Sequence, residues 1–313
     1  MHEFELIDHY FRRSGGRGVV LGIGDDGAIL DVPPGRQLIA VVDTLVEGVH
    51  FPPELDARDI GYRAVAVNLS DIAAMGGEPA WMTLALTLPE ADTSWLAGFA
   101  EGLFIAAAEH DVALVGGDTT AGGETVISVQ LLGHIASGQF LTRSGCRPGD
   151  SIYVSGTPGD AAAGLALLQQ GNSEHALAKR FCRPAARVQL GQAVANLASA
   201  AIDVSDGLCA DLQRLLQASG CGATIEQQRL PLSPALLDHC GDADAARLAL
   251  TGGDDYELLL TVNAEQEAEF LQAARKCDVS VTRLGVAEID MGLRVTRNGQ
   301  PITMNLAGYR HFS

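Results

Sequence analysis

The chain has 313 residues, 47% hydrophobic and 19% charged, a balance that supports a folded core and excludes a disordered chain. This length exceeds the usual size of one compact core, so two domains are expected. A formal charge of −18 argues against nucleic-acid and anionic-membrane partners, which need clustered Lys and Arg, but an anionic phosphate ester can still be bound where divalent cations lie between.

The segment from Met1 to Tyr10 lacks the apolar run of a secretory signal, and no stretch reaches the roughly 18 apolar residues of a membrane span. The six cysteines show no C-x-x-C pair and no zinc-type spacing. A cytoplasmic enzyme with reduced thiols is therefore expected. Residues 37–42 read as a buried strand that delivers Asp43 at its end. Residues 62–75 read as a helix stopped by Gly76 and Gly77, with Asn68 and Asp71 on one face. A strand over 80–88 follows, then a helix capped by Asp92 or Thr93 and running to about His110. A short strand over 112–115 ends in Gly116-Gly117-Asp118-Thr119-Thr120, and 125–135 is a further strand.

Turn residues cluster at Arg147-Pro148-Gly149-Asp150, which places the boundary between an N-terminal domain over 1–147 and a C-terminal α/β domain over 148–313. The second half predicts a strand over 151–155 and helices from Asp160, over 173–181 and over 184–198. A strand then feeds the acidic turn Asp203-Val204-Ser205-Asp206-Gly207, and the loop Gly252-Gly253-Asp254-Asp255 precedes a strand over 256–262. Two α/β domains sharing a cleft is the expected architecture.

Gly22-Ile23-Gly24-Asp25-Asp26-Gly27 matches the dinucleotide-binding pattern, but that fingerprint requires a helix opening at the glycines, and Pro33-Pro34-Gly35 leaves no room for one. Two carboxylates there would also repel a pyrophosphate unless a cation intervened. No Gly-Lys dipeptide of a Walker loop and no protein-kinase signature is present. Acids in Gly-rich turns often serve as caps or turn formers. Capping does not account for Asp-Asp pairs flanked by glycine at Gly24 and again at Gly253, since adjacent acids repel unless neutralised. Magnesium takes oxygen ligands, typically one or two carboxylates with substrate phosphates, and acids spread over several loops suit it. Arg143 offers a guanidinium fork for phosphate oxygens, and His50 is a candidate ligand contact. These residues point to a metal-dependent enzyme acting on phosphates.

The series Gly22-Ile23-Gly24-Asp25-Asp26, Asp43-Thr44-Leu45-Val46-Glu47-Gly48-Val49-His50-Phe51, Asn68-Leu69-Ser70-Asp71 and Gly116-Gly117-Asp118-Thr119-Thr120 resembles the thiamine-monophosphate kinase family. The likeness continues through Leu141-Thr142-Arg143-Ser144-Gly145, Ile202-Asp203-Val204-Ser205-Asp206-Gly207 and Gly252-Gly253-Asp254-Asp255-Tyr256-Glu257, so it spans nearly the whole chain. The resemblance implies a two-domain, aminoimidazole ribonucleotide synthetase-like α/β (α+β) fold with mixed sheets packed by helices, and a homodimer paired through the N-terminal sheets. It also implies phosphorylation of thiamine monophosphate to thiamine diphosphate by ATP, with several Mg2+ ions. Carried over by position, Asp26, Val42, Asp43, Asp71, Asp118, Asp203 and Asp206 would hold metal, Val42 through its backbone oxygen. Gly117, Asp118, Arg143 and Ser205 would contact ATP, and His50, Asp254 and Tyr309 the thiamine substrate. Asp43, Asp71, Asp118 and Arg143 would carry the catalysis.

Overall fold

A short helix, α1 (Glu3–Leu6), leads through a π-turn over 7–11 into the hairpin of β1 (Val19–Leu21) and β2 (Ile29–Leu30) in the structure, a computed structural model that describes residues 3–13, 15–303 and 308–309. The next strand, β3 (Arg36–Val46), is followed by helix α2 (Ala57–Ala74), strand β4 (Glu78–Leu88), helix α3 (Thr93–Ala108) and strands β5 (Ala113–Ala121) and β6 (Val126–Ala136). The four long strands form a sheet of order β3-β6-β4-β5, in which β4 and β5 are parallel and the other pairs antiparallel. Asp92 caps α3, its carboxylate accepting the N–H groups of Ser94 and Trp95 at 2.8 and 3.3 Å. Helices α2 and α3 touch backbone to backbone where both carry glycine: a Cβ on Gly102 would lie 1.7 Å from Arg58 O, and one on Gly61 2.0 Å from Phe99 O.

Two expectations change here. β3 does not end at Asp43 but continues to Val46, because its ladder with β6 runs on through Asp43↔Val129 to Val46↔Val126. The stretch from Gly116 to Thr120 is not a loop after a strand but part of β5, paired with Thr83 to Thr87. Gly117, at φ +158, makes that pairing fit, since a Cβ there would lie 2.0 Å from Leu84 O.

By its contacts the chain divides into a unit of Met1–Ile72 with Gly77–Gly138 and a unit of Ala73–Gly76 with Gln139–Ser313. Residues after Gly138 join the second unit through Thr142 O, which accepts the Ala201 N–H at 2.9 Å, and through Cys146 N–H, which donates to Ser219 Oγ at 3.2 Å. The second unit holds β7 (Ser151–Ser155), α4 (Asp160–Gln169), α5 (Ala176–Cys182), α6 (Val188–Val194), β8 (Ala198–Asp203), α7 (Leu208–Ser219) and β9 (Gly222–Glu226). It continues with α8 (Pro234–Thr251), β10 (Leu258–Val262), α9 (Glu267–Lys276), β11 (Val281–Glu288), β12 (Gly292–Arg297) and β13 (Gln300–Pro301). Its sheet runs β13-β12-β9-β11-β7-β10-β8, with β9 and β12 parallel and the remaining pairs antiparallel. Every residue of β10 is buried, Thr261 among them, which is why it reads as an apolar run with a single polar position. The helix expected over 184–198 contracts to α6, because Ala198 already pairs with Val262. A core of Val204, Leu208, Leu212, Leu216 and Leu259 packs α7 on this sheet.

Candidate active site

In the first unit, a cavity of about 520 Å³ is lined by Arg12, Gly24, Asp25, Asp26, Gly117 and Asp118, with an apolar wall from Phe11, Ile23 and Leu84. Backbone geometry brings the acids there. The turn at Gly24 (φ +126) presents Asp25 and Asp26, whose mutual contact is an Asp25 Oδ1 that accepts the Asp26 N–H at 2.9 Å. No helix follows Gly27; the chain enters β2, as the dinucleotide-binding reading could not accommodate. Asp118 reaches the cavity from the glycine-bearing part of β5. Arg12 also lines it and pairs with Asp8 at 2.7 Å; next to Arg13 and close to Arg17, it carries no sequence signal that singles it out for such a place.

Asn68 positions Asp43. Asn68 is fully buried on α2; its Oδ1 accepts the Asp43 N–H at 3.1 Å while its Nδ2 donates to Ala64 O at 3.0 Å. Asp71 lies one helical turn beyond on the same face. Burial pushes the Asp43 carboxyl above the ordinary carboxylate range, and the Arg63 cation partly offsets it. Val42 is 61% exposed beside it. His50 Nδ1 accepts the Val46 N–H at 3.0 Å, which places the imidazole hydrogen of the neutral ring on Nε2.

In the second unit the turn Asp203 to Gly207 is held from three sides. Asp211, on α7 and 1% exposed, accepts with Oδ2 the N–H groups of Ser205, Asp206 and Gly207 at 3.1, 3.0 and 3.1 Å. Its Oδ1 accepts from Arg214 Nη1 at 2.7 Å, and Arg214 Nη2 pairs with Asp206 Oδ2 at 2.5 Å. Burial and then the nearby Asp203 charge push the Asp211 carboxyl up to about 7, against the N–H groups and Arg214. On the second side, Ser205 O accepts the Asp254 N–H at 2.9 Å and Val204 O the Tyr256 N–H at 2.8 Å. Asp254 and Tyr256 both sit at positive φ, +70 and +52, and Tyr256 Oη donates to Asp254 Oδ1 at 3.4 Å. On the third, the Tyr309 N–H donates to Asp206 O at 3.2 Å. Ser205, Asp206, Asp254 and Tyr309 are thus gathered around one turn. Arg143 is exposed on the loop before β7, its carbonyl accepting from Ser219 Oγ at 3.1 Å. Asp211 and Arg214 escape sequence reasoning because nothing in a helical Asp-x-x-Arg spacing separates a support from an ordinary surface pair.

Among the described residues no group of three or more His, Cys, Asp or Glu converges to hold a metal ion unaided. Magnesium binds through one or two carboxylates completed by water and phosphate oxygens, and the hard oxygen donors Asp25, Asp26 and Asp118 around one cavity fit that demand.

The N-terminal domain model of AIR synthase related proteins matches residues 24–135, and the corresponding C-terminal domain model matches 147–297. A thiamine-monophosphate kinase of Salmonella typhimurium is 47% identical, covering 99% of this chain and 98% of its own. The chain belongs to the thiamine-monophosphate kinase family. A crystal structure of thiamine-monophosphate kinase from Stenotrophomonas maltophilia superposes with a TM-score of 0.85 at 43% identity, covering 96% of each chain. A structure described as AaThiL complexed with AMPPCP and TMP superposes at 0.80 with 36% identity, over 93% of this chain and 92% of that one. The two-domain, mixed-sheet architecture expected from the resemblance is the one found.

Proposed function

We propose that this chain transfers the γ-phosphoryl group of ATP to thiamine monophosphate, forming thiamine diphosphate. The observation that carries the reading is end-to-end likeness to thiamine-monophosphate kinases, one of them solved with an ATP analogue and TMP. The acid-lined cavity of the first unit supplies the matching chemistry, hard anionic oxygens on a phosphate scale.

In this reading Asp26, Val42, Asp43, Asp71 and Asp118 in the first unit, with Asp203 and Asp206 in the second, hold magnesium. When bound, the ions neutralise the phosphates of both substrates. Gly117, Asp118, Arg143 and Ser205 bind ATP, Arg143 by the bidentate geometry that suits phosphate. His50, Asp254 and Tyr309 bind the acceptor; the rigid turn around Ser205 supports the last two of these. The acceptor phosphate, with a second pKa of about 6, is already ionised at neutral pH, so direct in-line transfer needs positioning rather than a general base.

A homodimer paired through the first unit's sheet is part of this proposal, supported by the edge position of β3 and by Leu38 and Val42, 52% and 61% exposed on it. Cytoplasmic residence is supported by six free cysteines, and among the described residues no helix is long and apolar enough to cross a membrane. The test incubates the protein with ATP, magnesium and either thiamine monophosphate or aminoimidazole precursors and follows thiamine diphosphate and ADP. Thiamine diphosphate is expected only with the first acceptor. Asp43→Asn, Asp71→Asn and Asp118→Asn should each lower turnover by roughly 100-fold or more; near-normal activity in all three would overturn the assignment.

A further inference from the structure

The Asp206 backbone is fixed by hydrogen bonds on both sides, while its carboxylate is held by a single ion pair. Its N–H is bonded to the buried Asp211 and its carbonyl accepts the Tyr309 N–H, at 3.0 and 3.2 Å. The side chain ends on Arg214 Nη2 at 2.5 Å, in a setting where Arg214 remains 45% and Asp206 25% exposed. Arg214 has a second anchor that does not depend on Asp206, the 2.7 Å bond from Nη1 to Asp211 Oδ1. Asp211 cannot follow Asp206, because its other oxygen is committed to three backbone N–H groups.

We propose that Arg214 is a resident counter-ion for Asp206, occupying its carboxylate before magnesium binds and competing with the ion for it. The proposal rests on the assignment of Asp206 to magnesium. A dication at Asp206 lies beside a guanidinium of like sign, and over a few ångströms that repulsion exceeds thermal energy even at the dielectric of water. Arg214 therefore lowers the affinity for magnesium and ties its binding to the arrival of a nucleotide that brings negative charge. Because Asp211 keeps hold of Arg214, the guanidinium stays in place after Asp206 turns, ready to reclaim it when the ion leaves with product.

The experiment titrates Mg2+ into the full-length protein by calorimetry, with and without AMPPCP, for the parent chain, Arg214→Met, Arg214→Lys, Asp206→Asn and Asp206→Asn/Arg214→Met. Arg214→Met should tighten magnesium binding by about three- to tenfold without nucleotide and by less with it. Arg214→Lys, which keeps the charge but not the fork that spans Asp206 and Asp211, should fall between the parent and Arg214→Met. In the Asp206→Asn background the Arg214→Met effect should vanish. If Asp206→Asn weakens binding while Arg214→Met leaves it unchanged or weaker, competition is refuted and Arg214 only orients the carboxylate. If Asp206→Asn leaves binding untouched, the magnesium assignment of Asp206 fails and the proposal falls with it. Circular dichroism of each variant separates either result from loss of fold, and Arg214→Gln, which also removes the charge and carries the same expectation, takes the place of Arg214→Met should that variant not fold.

Discussion

Asp255 and Glu257 stand two residues apart, both fully buried, and the fold treats them in opposite ways. Asp255 accepts the Gly159 and Ala161 N–H groups at 2.7 and 3.3 Å at the start of α4, yet burial pushes its carboxyl up to about 8. Burial would raise Glu257 as well, but Arg187 and Arg180, each at 2.6 Å, outweigh it and hold the carboxyl below its ordinary range. Between the ordinary 3.8 and about 8, the folded chain keeps a proton on Asp255 that the unfolded chain has released. Stability therefore falls as pH rises through that window, by at most ~1.4 kcal/mol per pH unit from this group. Urea unfolding of the parent and of Asp255→Asn should show the parent losing stability relative to the variant between about pH 5 and about pH 8; parallel curves would refute it. Glu257 acts in the other sense, its contribution being lost as pH falls through a folded value below 4.5. Glu257→Gln leaves two poorly solvated guanidinium groups facing a neutral amide and should cost about 3–5 kcal/mol in the same measurement.

Among the elements, the crossing of α2 and α3 depends on having no side chain where the backbones meet. Gly102→Ala would force a Cβ to within 1.7 Å of Arg58 O, and the helices must part to admit it. A loss of about 3 kcal/mol or more is expected in chemical denaturation, against under ~1 kcal/mol for Gly123→Ala, where a Cβ meets nothing within 4 Å. The sequence shows α3 clearly, through the Asp92 cap and a long apolar run, and β10 through an apolar stretch interrupted only by Thr261. It misplaces the ends of β3 and β5, because Asp43 and the Gly116-Gly117 pair look like terminators while the ladder partners that carry the strands onward are distant in the chain. The acids at Asp26, Asp118, Asp206 and Asp254 are legible because their glycine-flanked setting is local. Their supports are not: Asn68 looks like one more helical polar residue, and the burial of Asp211, which makes it an anchor, is settled by packing from elsewhere.

At the scale of the molecule, the formal charge of −18 and the acid-lined cavity support the proposed dependence on divalent cations. Chelation with excess EDTA should abolish thiamine diphosphate formation, and added Mg2+ should restore it; activity that survives chelation would rule out the magnesium role. Leu38→Lys, on the exposed edge strand β3, should halve the mass seen by light scattering if the first units pair through their sheets, and an unchanged mass would refute that pairing. The four residues Ala73–Gly76 belong by their contacts to the second unit although first-unit sequence flanks them. Met75 O accepts the Leu141 N–H at 3.0 Å, and a Cβ on Gly191 would lie 2.0 Å from Ala73 O. Scission after Gly138 would therefore not yield two self-sufficient halves: the trailing fragment would lack a piece of its own packing and lay bare the surface that piece covers, and the leading one would carry the piece away from the residues it packs on. Divided expression, permutation or insertion at that peptide bond, though it lies at the visible junction, is consequently a poor way to take this protein apart.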